Sequence, residues 1–168
     1  MTSLSPVHWF EYLAAPTHLK IPGKPWKRRE TSVEAMVEEA TSSSEYRPHH
    51  ELVKALALAT EESKNCKRVL SKLCKVVDDV KEVIRVQKAV LILHYLLFYG
   101  SDEFIAYMSK QGGSTLTKAK YFRVRSGNID ELTREAELRS SAGDMVALIS
   151  DIRILNQVRG DSRSKLKE

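Results

Sequence analysis

Lys81, Arg85 and Lys88 recur at i, i+4 and i+7, a spacing that lines three cations along one face of an α-helix. They stand at the entrance of that helix, where the unpaired N–H groups of the first turn also favour anions. The chemistry on offer is electrostatic capture of an anionic partner rather than bond making. One helix earlier, Lys64, Arg68, Lys72 and Lys75 form a stripe that reads as a solvated face, screened by Asp78, Asp79 and Glu82.

The other chemically capable groups fit no reaction signature. His49–His50–Glu51 lacks the second histidine of a zinc-protease helix, Lys54 or Ala55 standing near that place. Gly112–Gly113–Ser114–Thr115 lacks the Gly-Lys-Ser/Thr end of a phosphate loop, and no Gly-x-Ser-x-Gly elbow occurs. Cys66 and Cys74 have no companion pair at metal-ligand spacing and fall on an apolar helix face. His94 lies inside an apolar run and reads as a core histidine. No catalytic residue, no metal and no cofactor is expected.

The 168 residues suffice for one domain with an unstapled core. Two cysteines and no secretory segment point to a reducing compartment. The longest apolar run, Ala89 to Tyr99 broken only by His94, is well short of the ~20 residues that span a bilayer. The net charge of +5 is spread unevenly: +3 over 1–30, −3 over 31–60, and +3 again over 61–100. This suits local attraction to phosphate groups better than a long nucleic-acid track. Only Tyr121, Phe122, Arg123 and Arg125 interleave rings with bases, so a basic helical nucleic-acid binder is a third reading and nucleic acid is not an expected partner.

These groups are positioned by helices. Thr31 with Glu34 makes a capping-box pattern for a helix running to about Thr41, and Pro48 fits a first helical position after the polar loop Ser42 to Arg47. A helix from near Thr60 carries Cys66, Leu70, Leu73 and Val77 on one face. A central helix from about Asp79 to Tyr99 is apolar almost all round from Leu91, so other helices must enclose it. Gly100 stops it and Ser101 caps the next, whose apolar side is Phe104, Ile105 and Met108 and which Gly112 and Gly113 end. Leu132 to Ile154 carries one or two last helices, and no segment alternates long enough for a strand. Residues 1–30 differ: a short helix from Pro6 with Trp9, Phe10 and Leu13 is followed by a Pro-rich basic tether bearing Lys24, Lys27, Arg28 and Arg29.

Three segments carry a family resemblance. Ala40–Thr41–Ser42–Ser43–Ser44–Glu45–Tyr46–Arg47–Pro48 resembles the "ATSND-aromatic-GP" signature of the epsin N-terminal homology (ENTH) domain. Lys88–Ala89–Val90–Leu91–Ile92–Leu93–His94–Tyr95–Leu96–Leu97 through Gly100–Ser101 is similar to its "KAL-LL-YL---GS" helix, and Leu138 to Ile149 to its penultimate helix. The resemblance implies an all-α fold, a right-handed superhelical stack of about seven or eight helices like that of the ENTH, ANTH and VHS adaptors. It divides the chain into an extension over 1–30, an ENTH-like domain over 31–158 and a polar tail over 159–168.

The resemblance further implies a cytoplasmic, membrane-peripheral trafficking domain that binds phosphoinositide head groups, at the plasma membrane, endosome or trans-Golgi. Clathrin, adaptor complexes and SNAREs are its implied partners, and a monomer is expected. Aligned on Lys88–Ala89, the head-group bases are Lys75, Lys81, Arg85 and Lys88, with Trp9, Phe10, Leu13, Lys24, Lys27, Arg28 and Arg29 as further membrane or partner contacts. Glu38 stands where the family offers an arginine, and Ser43 where it offers an asparagine. The alternative reading is therefore an ENTH-like protein-interaction domain without lipid binding, whose ligand is a SNARE or adaptor cargo.

Overall fold

Apolar residues at i, i+3, i+4 and i+7 bury Val33, Met36, Val37 and Ala40 and make the first described helix, α1 (Val33–Ser42). The computed structural model describes residues 32–42, 48, 50–79, 82–124 and 127–166. Thr31 lies outside them. The cap at α1 is Ser32, whose Oγ accepts from Ala35 N at 3.2 Å. Next come α2 (His50–Ala59), α3 (Ser63–Asp79), α4 (Val83–Tyr99) and α5 (Asp102–Tyr107). A π-helical turn, Met108–Gly112, leads into α6 (Gly113–Lys120), then α7 (Ile129–Ser150) and α8 (Ile152–Leu166). The described residues form eight α-helices and no strand.

The all-round apolar helix is enclosed as its sequence demands. From Val86 to Phe98 every residue of α4 is buried, and α4 packs on α1, α2, α3, α7 and α8. Its entrance is later than expected: α3 runs through Asp79 and α4 starts at Val83, with Glu82 as N-cap. The α3 face expected to be buried is buried, at Cys66, Leu70, Leu73 and Val77.

The far end of α4 is closed by three contacts. Gly100 N donates to Leu96 O at 2.8 Å, and a Cβ on Gly100 would come within 2.5 Å of that same oxygen, so only glycine fits. Ser101 Oγ caps α5 by accepting from Phe104 N at 3.1 Å. The buried Thr60 hydroxyl donates to Ala57 O and accepts from Ser101 N at 3.0 Å, tying the α2–α3 turn to this corner. Gly112 and Gly113 do not end a helix. The chain passes through them into α6, and a Cβ on Gly112 would press on Met108 Cγ at 3.0 Å, so glycine accommodates the π turn instead.

The last helix also departs from expectation. The boundary drawn at 158 falls inside α8, and Arg159 is buried at 4% exposure. Its guanidinium donates to Leu97 O, to Gly100 O at 2.7 Å and to Asp102 Oδ1 at 3.1 Å. This helix is part of the body.

Candidate functional site

The elbow between α3 and α4 gathers cations from two helices against carboxylates from a third. Glu34 and Glu38, one turn apart on α1, face Arg68 and Lys72, one turn apart on α3. Glu34 takes both arms of Arg68, from Nε at 2.7 Å and NH2 at 2.6 Å, and this fork holds its carboxyl below the usual range. Glu38 instead bridges two cations. Its Oε2 lies 3.2 Å from Lys72 Nζ and its Oε1 accepts from Arg85 NH2 at 3.0 Å.

Arg85 projects from the first turn of α4. Glu82, the residue before that helix, makes no side-chain hydrogen bond to the open N–H groups. Arg85 Nε is buried and has no hydrogen-bond partner among the described residues. The first turn of α4, the Arg85 guanidinium and the nearby Lys72 thus share one place. Such an arrangement can hold an anion.

The expected site residues separate into three groups. Arg85 lies in the elbow, and Lys75 is exposed on the last turns of α3, one turn beyond Lys72. Lys88 is different: one turn deeper along α4 the helix is enclosed on all sides, so Lys88 is 1% exposed and engaged within the protein. The helical spacing that put it in line with Arg85 could not register that α4 enters the core between the two. Lys81, together with Trp9, Phe10, Leu13, Lys24, Lys27, Arg28 and Arg29, lies outside the described residues. Lys72 is the member that sequence reasoning left on a solvated face. The matching four-residue steps Glu34–Glu38 and Arg68–Lys72 were the signal that could have found it.

The aromatic-basic segment after α6 makes a second cationic surface of a different kind. Tyr121 is 63% exposed beneath the Lys120 ammonium, whereas Phe122 packs against the core. Arg123 pairs with Glu135 at 3.2 Å, and Lys118 lies 3.5 Å from Asp78. Only one ring of this segment is presented for stacking, which is a poor platform for successive bases. Among the described residues, no group of three His, Cys, Asp or Glu side chains could hold a metal ion, and no helix is long and apolar enough to cross a membrane.

Helices stacked in series around one buried member define an α-solenoid. The family model of the ENTH domain matches residues 30–155, and the chain belongs to that family. Clathrin interactor EPSIN 2 of Arabidopsis thaliana is 27% identical over 142 residues, which cover 84% of this chain but only 14% of that protein. Among solved structures, the human epsinR ENTH domain superposes with a TM-score of 0.69 at 21% identity, covering 80% of this chain and 98% of that one. The ENTH domain from epsin-2 in complex with phosphatidylinositol 4,5-bisphosphate gives a TM-score of 0.66 at 22% identity, covering 77% and 90%. These superpositions establish the ENTH fold for this chain.

Proposed function

We infer that this chain is a membrane-trafficking adaptor domain that docks on phosphoinositide-bearing or otherwise anionic membrane through the α3–α4 elbow. The observation that carries this reading is the convergence of Lys72 of α3 and Arg85 of the first turn of α4 on one exposed carboxylate, Glu38. Exposed Lys75 extends the cationic surface and the sequence position of Lys81 assigns it there too, while buried Lys88 is withdrawn from it. The lipid-bound epsin-2 domain supports the ligand class, and the Arabidopsis relative's name supports a clathrin-linked pathway. The domain acts as a binding module and not an enzyme, held peripherally at a cytoplasmic membrane face. Residues 1–30 add Trp9, Phe10, Leu13, Lys24, Lys27, Arg28 and Arg29 as a second contact.

Each base near an anionic surface contributes about 1 kcal/mol, so binding is weak singly and falls steeply with salt. Sedimentation with phosphoinositide vesicles across a salt series tests this. The Lys81→Glu, Arg85→Glu double variant is expected to lose binding, and full retention would remove the elbow as the site. A second reading has its own observation: Glu38 already occupies Lys72 and Arg85. On that reading the domain binds a vesicle protein and ignores lipid. Capture of a SNARE or adaptor cargo by a chain that sediments with no anionic vesicle would favour it.

A further inference from the structure

Glu34 and Glu38 are chemically identical and one turn apart, yet they pair differently. Glu34 is matched to one guanidinium by two parallel hydrogen bonds, a geometry that an incoming anion has little means to improve. Glu38 spans separate cations on α3 and α4 with one oxygen each, at 3.2 and 3.0 Å, and its side chain remains 48% exposed. It can swing into water without uncovering any core. A carboxylate bridging two cations this way sits as a bound acidic ligand would.

We propose that Glu38 is an internal counter-ion that a ligand must replace, and that this exchange makes the elbow selective for phosphomonoester dianions over singly charged phosphodiesters and carboxylates. The proposal rests on the elbow being the anion site and adds what sets its selectivity. A monoanion exchanges like for like: it gains the two contacts that Glu38 gives up, and the balance is near neutral. A phosphomonoester carries about −1.5 to −2 charges at neutral pH and three strong acceptor oxygens. Two oxygens replace those of Glu38, and the second negative charge balances the two cations, Lys72 and Arg85, that the single charge of Glu38 only half neutralises. Only the dianion therefore gains by the exchange. Bulk anionic lipid, rich in phosphodiesters and carboxylates, is refused by the same residue.

The test compares the whole chain with its Glu38→Gln variant in sedimentation with vesicles of equal total charge. One set contains phosphatidylserine and the other phosphatidylinositol 4-phosphate. The wild-type chain is expected to prefer the phosphomonoester vesicles by roughly tenfold. Glu38→Gln should raise phosphatidylserine binding by roughly that factor and change the other set much less, collapsing the preference. Glu38→Ala should do the same, and urea unfolding of both variants confirms that the fold is kept. A preference unchanged in both variants, in a chain that binds phosphomonoester vesicles and loses that binding in Arg85→Glu, overturns the role of Glu38 and leaves the elbow standing. Binding that survives Arg85→Glu overturns the elbow itself, and the exchange with it. Soluble inositol 1-phosphate separates the two sources of the same chemistry. Its release of the chain from vesicles supports a lipid-borne phosphate. Saturation by the soluble ester, weakened by Arg85→Glu, without any vesicle binding keeps the exchange and overturns membrane docking.

Discussion

The two ends of α4 face the same electrostatic problem and answer it oppositely. A helix leaves unpaired carbonyls at its C-terminus and unpaired N–H groups at its N-terminus, with partial charges to match. At the C-terminal end the protein supplies its own cation: buried Arg159 donates to Leu97 O and Gly100 O, and Thr60 and Ser101 close the corner beneath. At the N-terminal end Glu82 contributes no side-chain cap, Ile84 and Arg85 reach solvent, and Arg85 pairs with the half-exposed Glu38. Among the described residues, one end is closed by side-chain donors, whereas the other has no side-chain cap from Glu82. Stability and binding should therefore respond to mutation at opposite ends.

Arg159→Ala offers the largest effect that could break this contrast. It leaves two buried carbonyls without their donor and removes a buried side chain, for an expected loss of about 4 kcal/mol by urea unfolding. A loss below about 1 kcal/mol would mean that the C-terminal end is not closed by this clamp. Vesicle binding by the folded fraction should not change.

The covered stretch between the ends should carry a pH dependence that the open end lacks. His94 is 3% exposed, and burial alone holds its pKa down to about 4. In the unfolded chain the same imidazole titrates near pH ~6.5. Between these values the unfolded state takes up a proton that the folded state refuses, so stability is intact above about pH 6.5 and falls as the pH drops towards about 4. At about 1.4 kcal/mol per unit, the total loss is about 3 kcal/mol. Half-buried His50, also held down by burial, adds in the same direction. Urea titrations at pH 7, 5.5 and 4 measure this slope, and His94→Leu should flatten the larger part of it. An unaltered slope in that variant would assign the effect elsewhere.

A smaller loss tests the corner under the clamp. In Thr60→Val the buried Ser101 N–H loses its acceptor and Ala57 O its donor, at an expected cost of about 2 kcal/mol in the same assay. A cost near zero would show that the corner relaxes without its hydroxyl and that Arg159 alone closes this end.

The closed end was far more legible in the sequence than the open one. Leu91 to Phe98, apolar on every side, could only be a helix surrounded by helices, and Gly100–Ser101 marked where it stops and the next begins. Burial periodicity is a local signal and α3 obeyed it. Arg159 was not legible: its charge matched a polar tail, and only the folding-back of α8 onto residues 97–102 reveals it as a cap. The elbow was half legible for the same reason. Spacing aligned Lys88 with Arg85, but whether a cation faces solvent depends on where α4 enters the core. Nor could spacing show that Lys72 and Arg85 share Glu38, since that contact joins three helices. Ion pairs between elements are set by packing and leave only a faint periodic trace.

The smallest effect on stability should come from the residue on which function most depends. Arg85→Ala breaks a pair whose carboxylate partner is 48% exposed and keeps Lys72 at 3.2 Å. Screened pairs of this kind contribute at most about 1 kcal/mol, so unfolding should shift by less than that. Binding to phosphoinositide vesicles should nevertheless fall about fivefold, the effect of one base near an anionic surface, and more steeply at low salt than at high. The two readouts separate because Arg85 lies outside the buried span that begins at Val86, while its guanidinium shares the half-exposed Glu38 with Lys72. The opposite pattern, a destabilised domain that binds vesicles as before, would make Arg85 a second structural clamp and the two ends of α4 alike.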